Sequence, residues 1–290
     1  MTLDPNPFLA RQQTSVGADL LLHSTNAGAV VKRSAQLKLA HRDEGRRIAL
    51  LQAEYVNTKY AGDATVFVFD EKFGRRDRLH WMIHLRSLGG YRAVTALLDG
   101  NEGPAAGTGW QEMFLDGSFD ETALVPQGWG MYGTDAVLPD GTPIAEATPD
   151  LLVAPAQHQT GITAEQTVNS SNAGLIIHRV AQPKYAFRAE ARMFARRITE
   201  SINTRLPGIA SSFLYEEAFG PADRTHWLIH MKSETAYYDL IDMHMRMDDD
   251  VRAIYLDEII APEKGGGTWN RIFVEGSMGD VSFAPLAPSI

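Results

Sequence analysis

The chain has 290 residues, of which 44% are hydrophobic and 22% are charged, and it is long enough to bury about two domain cores. It contains no cysteine, which excludes disulfides, thiolate metal sites and a cysteine nucleophile. The formal net charge is −9 and Lys and Arg are scattered, which argues against nucleic acid and anionic membrane surfaces as partners. We find neither a signal peptide pattern nor a run of about 18 apolar residues, so we expect a cytoplasmic protein.

The hydrophobic pattern alternates between strand and helix periods along residues 13–126. The first helix is predicted from Ile48, Leu51, Tyr55 and Val56, which recur at helical spacing with no Gly or Pro between them. The order is strand, helix, strand, strand, helix, strand. The predicted strands are 29–38, 64–73, 78–86 and 110–115, and the predicted helices are 41–60 and 88–98.

The same order returns in residues 159–290, with an added helical stretch at 249–259. Ten of 17 positions are identical between 71–87 and 217–233, an offset of 146. We therefore predict a tandem duplication with domains at 13–126 and 159–290. The connection 127–158 is predicted to be a linker, and its aromatic, glycine-rich start places Trp129 and Tyr132 where they could cover a ligand cavity.

The pattern β-α-β-β-α-β, with the sequence His-Trp-x-Ile-His in the third strand of each half, resembles the dimeric α+β barrel superfamily and, within it, NIPSNAP-type domains. The resemblance implies an α+β fold in which two ferredoxin-like repeats form an intramolecular pseudo-dimeric α+β barrel. It also implies a wide range of functions, since that superfamily includes cofactor-free oxygenases, haem enzymes, isomerases and binding proteins. The fold therefore does not select a function.

The hairpin between the second and third strands carries the candidate chemistry. A turn centred between Arg75 and Arg76 would set Glu71 opposite His80 on one face of the sheet. Such a pair could form a hydrogen bond that favours the imidazolium, as in an acid/base dyad. We predict four catalytic residues from this hairpin and its counterpart, namely Glu71, His80, Glu217 and His226.

Aromatic and histidine side chains on the same predicted faces would line a ligand cavity. The predicted ligand-binding residues are Phe67, Phe69, His84, Phe213, Tyr215 and His230, with Trp129 and Tyr132 from the linker. Two histidines four residues apart on a strand lie about 13 Å apart and cannot bind one metal together. We therefore predict no metal and no cofactor, although a haem ligand could still come from His, Tyr or Met.

Three functions remain open from the sequence. The first is a cytoplasmic enzyme that isomerises, cyclises or oxygenates an apolar, aromatic or polyketide-like metabolite by acid/base chemistry. The second is a protein that binds or sequesters a small ligand without turning it over. The third is a structural or partner-binding protein with a filled barrel. An open cavity would favour the first two, and self-association into a homo-oligomer is compatible with all three.

Overall fold

The computed structural model describes residues 7–128 and 155–288. Eight β-strands and five α-helices lie in those residues, with short 3-10 helices between them. The strands are β1 (Ala29–Gln36), β2 (Ala64–Lys72), β3 (Arg78–Leu85), β4 (Asp120–Pro126), β5 (Leu175–Ala181), β6 (Ala210–Glu217), β7 (Thr225–Met231) and β8 (Gly279–Pro285). The helices are α1 (Arg42–Lys59), α2 (Tyr91–Leu98), α3 (Arg188–Arg205), α4 (Ala236–Arg246) and α5 (Asp249–Leu256).

The strands form one closed barrel in the order β1-β3-β2-β8-β5-β7-β6-β4. The prediction of two ferredoxin-like β-α-β-β-α-β repeats is therefore wrong. Strand β2 pairs antiparallel with β8, with Phe69 opposite Pro285 and Glu71 opposite Phe283. A free edge would expose unpaired N–H and C=O groups, and closing the sheet removes that edge.

The chain divides into two compact units, and neither is one continuous segment. Unit 1 contains the residues up to Leu124, Asn169–Ile176 and the residues from Ser282 onward. Unit 2 contains Val125–Val168 and Ile177–Val281. The domain boundaries expected from the sequence stay a prediction.

The core of unit 1 lies between helix α1 and one face of the sheet. Helix α1 buries residues of one stripe, including Ile48, Ala49 and Val56. They pack in one apolar cluster with strand residues that include Val66 and Trp81. This face of the sheet is thus covered by helices, and the opposite face carries the polar and aromatic side chains described below.

A side-chain amide fixes the long helix of each unit to its neighbouring strand. In unit 1, Asn57 donates to the carbonyl oxygen of Val66 and accepts from its N–H, at 3.0 and 2.6 Å. In unit 2, Asn203 makes the same pair of bonds with Ser212, at 3.0 and 2.7 Å. All four residues are buried, so each amide satisfies backbone groups that would otherwise lack partners.

The last strand of each half lies later in the chain than predicted. Residues 110–115 and 269–274 were expected to be strands, but each contains a 3-10 helix, Trp110–Met113 and Trp269–Arg271. In unit 1 the aromatic residues of this segment join the core beneath the helices, where Trp110 and Phe114 stack edge to face at 4.7 Å. A short apolar run can form a buried strand or a buried helical turn, and its periodicity alone does not distinguish the two.

Two serine-containing loops of unit 1 hold each other through reciprocal hydrogen bonds. The Ser24 N–H donates to Ser170 Oγ at 2.9 Å, and the Ser170 N–H donates to Ser24 Oγ at 3.1 Å. His84 Nδ1 lies 3.2 Å from the Thr65 carbonyl oxygen, which can only accept, so Nδ1 carries the proton of the neutral ring. His84 Nε2 is then the acceptor, and it accepts from Ser170 Oγ at 2.8 Å. The bonds connect a loop of the second half of the chain to the first half.

We predict that Ser170→Ala lowers the free energy of unfolding by about 2–4 kcal/mol, because the Ser24 N–H and His84 Nε2 both lose a buried partner. Urea denaturation followed by circular dichroism measures the change. Ser87→Ala is the matched control, since Ser87 is exposed, and we expect a change within about 0.5 kcal/mol. Equal stability of the two variants would contradict this account of the loops.

Candidate functional site

The hairpin of β2 and β3 places its side chains on the predicted faces but in a different register. Phe69 lies opposite His80, and Phe67 lies opposite Met82. The predicted register, which set Glu71 opposite His80, is therefore wrong by two residues. A shift of two keeps every side chain on its face, so Glu71 and His80 still share the face that points away from the helices.

Glu71 and His80 are diagonal neighbours on β2 and β3, and they form a hydrogen bond. His80 Nε2 lies 3.0 Å from Glu71 Oε2, and the His80 ring is only 1% exposed. An ionised carboxylate can only accept, so Nε2 carries the proton and Nδ1 is the lone-pair nitrogen of the neutral ring. His80 Nδ1 is buried and has no hydrogen-bond partner within residues 7–128 and 155–288. The pair thus presents an oriented imidazole with one unused acceptor.

The surroundings of Glu71 keep it ionised. Burial alone would raise the pKa of Glu71, but hydrogen bonds from His80 and from the Arg75 backbone N–H outweigh burial and hold the pKa below its usual value. Arg78 adds to this, with its Nε 3.6 Å from Glu71 Oε2. The carboxylate is therefore available as an acceptor that fixes the His80 ring.

His80 is neutral in this setting, which corrects the expectation of an imidazolium. Burial lowers the pKa of His80 below 6.5, and the nearby cations Lys32 and Arg78 lower it further. The hydrogen bond and charge of Glu71 raise the pKa but do not compensate. Because the sequence does not reveal how deeply a residue is buried, the desolvation cost was not included in the prediction.

Lys32 on β1 is part of this site and was not predicted. It lies on the same face, opposite Met82, and is 9% exposed. Its neighbour Ser34 lies opposite His80 and accepts a hydrogen bond from Arg78 at 2.7 Å. The alternation of Val30, Lys32 and Ser34 within an apolar strand was the available signal, because residues two apart share a face.

Aromatic rings surround the pair in unit 1. The ring of Phe283, which no sequence argument had included, stacks on His80 with centroids 5.0 Å apart, and Phe69 meets Phe283 edge to face at 5.2 Å. The ring of Phe67 lies 5.6 Å from that of His84, its diagonal neighbour on β3. These rings are fully buried, so they exclude water from one side of the His80 ring.

Unit 2 holds a related arrangement with a different third member. His226 Nδ1 lies 2.9 Å from His178 Nε2, and the two rings stack with centroids 5.1 Å apart. Glu217 Oε2 is 3.4 Å from His226 Nε2, a longer approach than in the Glu71–His80 pair. His178 stands 146 positions after Lys32, so the matching positions carry an amine in one unit and an imidazole in the other.

The remaining predicted residues of unit 2 also lie on one strand pair. Tyr215 is opposite His226, and burial raises the pKa of Tyr215. Phe213 lies opposite Leu228 and its ring is 5.9 Å from His230, so the predicted register is again shifted by two. Trp129 and Tyr132 lie outside the described residues, and their role stays a prediction.

The described residues include no group of three or more His, Asp or Glu side chains able to hold a metal ion. In the same part of the chain, no helix combines the length and apolarity needed to cross a membrane. A surface groove of about 600 Å³ in unit 1 is lined by other residues, among them Arg33, Phe114 and Glu121. It does not contain any of the predicted site residues.

The sequence matches the "Family of unknown function (DUF6039)" over residues 3–290. No curated protein matches it. Among solved structures, the fold is similar to a "putative monooxygenase" from Lactobacillus acidophilus NCFM, with 10% identity, a TM-score of 0.52, and coverage of 90% of this chain and 95% of the other.

Two further structures are similar at the same level. A "putative monooxygenase" from Fusobacterium nucleatum subsp. nucleatum has 9% identity, a TM-score of 0.51 and coverage of 90% and 94%. A single-residue variant of chlorite dismutase from Candidatus Nitrospira defluvii has 14% identity, a TM-score of 0.50 and coverage of 90% and 93%. At these identities the likenesses concern the fold alone.

We predict that His80 titrates below 6.5 and that Glu71→Gln lowers its pKa further, because the variant removes the charge that raises it. NMR titration of the imidazole measures both values. Since unfolded His takes up its proton near 6.5, the contribution of neutral His80 to stability is lost as the pH falls from 6.5 toward the folded pKa. An unchanged or raised His80 pKa in the variant would contradict the pairing.

Proposed function

We propose a function for this chain, which belongs to the family of unknown function DUF6039: it is a small-molecule enzyme in which His80 acts as general base. Glu71 is the positioning residue, because it fixes the ring through Nε2 and leaves Nδ1 as acceptor. The single observation that supports this role is a buried His80 Nδ1 without a hydrogen-bond partner. A base oriented by a carboxylate is the arrangement that proton transfer requires.

Neutral His80 suits the role at ordinary pH. A general base must be unprotonated before it reacts, and burial holds the pKa of His80 below 6.5. When His80 takes up a proton from a substrate, the ionised Glu71 carboxylate at 3.0 Å stabilises the imidazolium that forms. The negative charge of Glu71 thus stabilises His80 most strongly after His80 has taken up the substrate proton.

The substrate in this proposal is an apolar or aromatic metabolite. Phe67, Phe69 and Phe283 form apolar walls beside His80, and stacking on aromatic rings favours a flat substrate. The reaction begins with proton abstraction and proceeds as isomerisation, cyclisation or cofactor-free oxygenation. We include a cytoplasmic location in the proposal, because a chain without cysteine suits a reducing compartment.

The proposal also assigns an origin by tandem duplication of a NIPSNAP-like segment. The identical positions 146 apart support it, since Glu71 and His80 recur as Glu217 and His226. The two pairs differ in their third neighbour, and Glu71 hydrogen-bonds His80 at 3.0 Å whereas Glu217 Oε2 stays 3.4 Å from His226 Nε2. We therefore assign the reaction to unit 1 and regard Glu217 and His226 as a second candidate pair.

A binding protein without turnover is the second candidate function. The observation that favours it is the burial of the face that carries the pair, since Phe67 and Phe69 are fully buried and His80 nearly so. A protein that encloses its ligand needs such a face but needs no proton transfer. The two functions differ in one measurable property, which is exchange of a substrate proton.

We predict that the protein catalyses exchange of acidic C–H protons in deuterated water, which is slow without a catalyst. Aromatic and polyketide-type compounds with acidic protons are incubated with the protein, and mass spectrometry measures deuterium uptake. His80→Gln should reduce the rate by about 100-fold or more, because a general base contributes about 10²–10⁴-fold. Glu71→Gln should give a smaller loss.

His41→Gln is the matched control, because His41 is exposed and lies at the start of α1. We expect it to exchange protons at the wild-type rate. Equal rates for wild type and His80→Gln, or no exchange by the wild type with any compound, would contradict the enzymatic proposal. Binding without exchange would support the second candidate function.

A further inference from the structure

The amine of Lys32 is a second polar group on this face that forms no hydrogen bond or ion pair with the described residues. Lys32 is 9% exposed, and no hydrogen bond or ion pair joins it to any residue in ranges 7–128 and 155–288. Asp120, Glu71 and Arg78 act on it by charge, but Asp120 and Glu71 lie beyond ion-pair distance. Burial removes part of the water around the ammonium and lowers the pKa of Lys32, and no acceptor from the described residues replaces that water.

Lys32 and His80 lie close enough to share one ligand. Lys32 is opposite Met82 on β3, and His80 is two residues from Met82 on the same face. Such diagonal neighbours have β-carbons about 7–8 Å apart, and the lysine side chain spans most of that distance. The positive charge of Lys32 lowers the pKa of His80, so the two groups are near enough to interact electrostatically.

The two unused groups are complementary in their hydrogen bonding. The Lys32 ammonium can only donate, and His80 Nδ1 in the neutral ring can only accept. A hydroxyl group does both, since its oxygen accepts and its proton donates. A carboxylate or a carbonyl group would satisfy Lys32 but would leave His80 Nδ1 without a partner.

We propose that Lys32 is a substrate-binding residue, and that the substrate presents a phenol or enol hydroxyl between the Lys32 ammonium and His80 Nδ1. This inference rests on the proposed role of His80 and adds the substrate class. In the step that follows, the O–H bond breaks and an N–H bond forms at His80 Nδ1. The oxyanion stays beside Lys32, and the imidazolium stays beside Glu71, so no charge is left unpaired.

The pair lies near the more solvent-exposed end of its strands. Solvent exposure rises along β2 toward Lys72, and it rises along β4 toward Asp120. At the start of β3, Arg78 is also partly exposed. Lys32, Glu71 and His80 lie near this more exposed end of the strands, whereas His84 at the other end is fully buried.

The test uses 4-nitrophenol, whose phenolate absorbs visible light and whose neutral form does not. At a mildly acidic pH, where most of the free probe is protonated, we expect wild-type protein to increase phenolate absorbance in a saturable manner. Lys32→Met should weaken binding at least tenfold and abolish the increase, because the oxyanion loses its cation. Lys59→Met is the matched control, since Lys59 is exposed, and it should behave like the wild type.

A ligand-side comparison keeps the test valid if Lys32→Met does not fold. Nitrobenzene, which lacks the hydroxyl, should bind wild-type protein at least tenfold more weakly than 4-nitrophenol. Equal binding of the two probes, or the same phenolate absorbance with Lys32→Met as with wild type, would overturn the inference. Absence of phenolate binding to the wild type would overturn it as well.

The two proposals fail in different ways. Phenolate binding that depends on Lys32, without deuterium exchange on any compound, would contradict the enzymatic function and support this inference. Deuterium exchange that depends on His80, on a compound without a hydroxyl and without phenolate binding, would contradict this inference alone.

Discussion

Polar side chains on a buried sheet face need partners there, because each unpaired group costs about 1–3 kcal/mol and each unpaired charge costs more. Strands β1, β2 and β3 of unit 1 place Lys32, Glu71 and His80 on such a face. Glu71 is satisfied by the His80 ring and by the Arg75 N–H. Among the described residues, His80 Nδ1 has no donor and the Lys32 ammonium has no acceptor, and we infer that a ligand supplies both.

The orientation of Glu71 depends on the turn that follows it. Phe73 and Asp77 adopt left-handed backbone angles, with φ of 58° and 62°, and they allow five residues to join β2 to β3. The Asp77 carboxylate accepts a hydrogen bond from Arg46 of α1 at 3.0 Å, which connects the turn to the helix. The turn then directs the Arg75 N–H at Glu71, so the helix, the turn and the site form one connected network.

The sequence predicted most helices and strands of the chain, because their apolar periods are long and uninterrupted. It also predicted that Glu71 and His80 share a face, since an error of two residues in register does not change the face. It did not predict β4 and β8, whose starts are polar or acidic, while the aromatic segments before them resemble strands. Closure of the sheet through β2 and β8 depends on residues more than 200 positions apart, which no local pattern reveals.

The chemistry of the site was harder to predict than its composition. The direction of the His80 pKa shift depends on how deeply His80 is buried and on the charge of Lys32. Hairpin geometry reveals neither of these. Lys32 lies on a strand that is distant in sequence from the hairpin, so only strand pairing shows that it is a neighbour. The aromatic cover from Phe283 depends on the same long-range pairing.

The central claim is that Glu71 holds neutral His80 with its proton on Nε2 and its lone pair on Nδ1. Long-range ¹H–¹⁵N correlation spectra of the protein at neutral pH test it most directly, because the two ring nitrogens have different shifts when only one carries a proton. We expect an Nε2–H tautomer for His80. Spectra that show an Nδ1–H tautomer or an imidazolium would contradict the account.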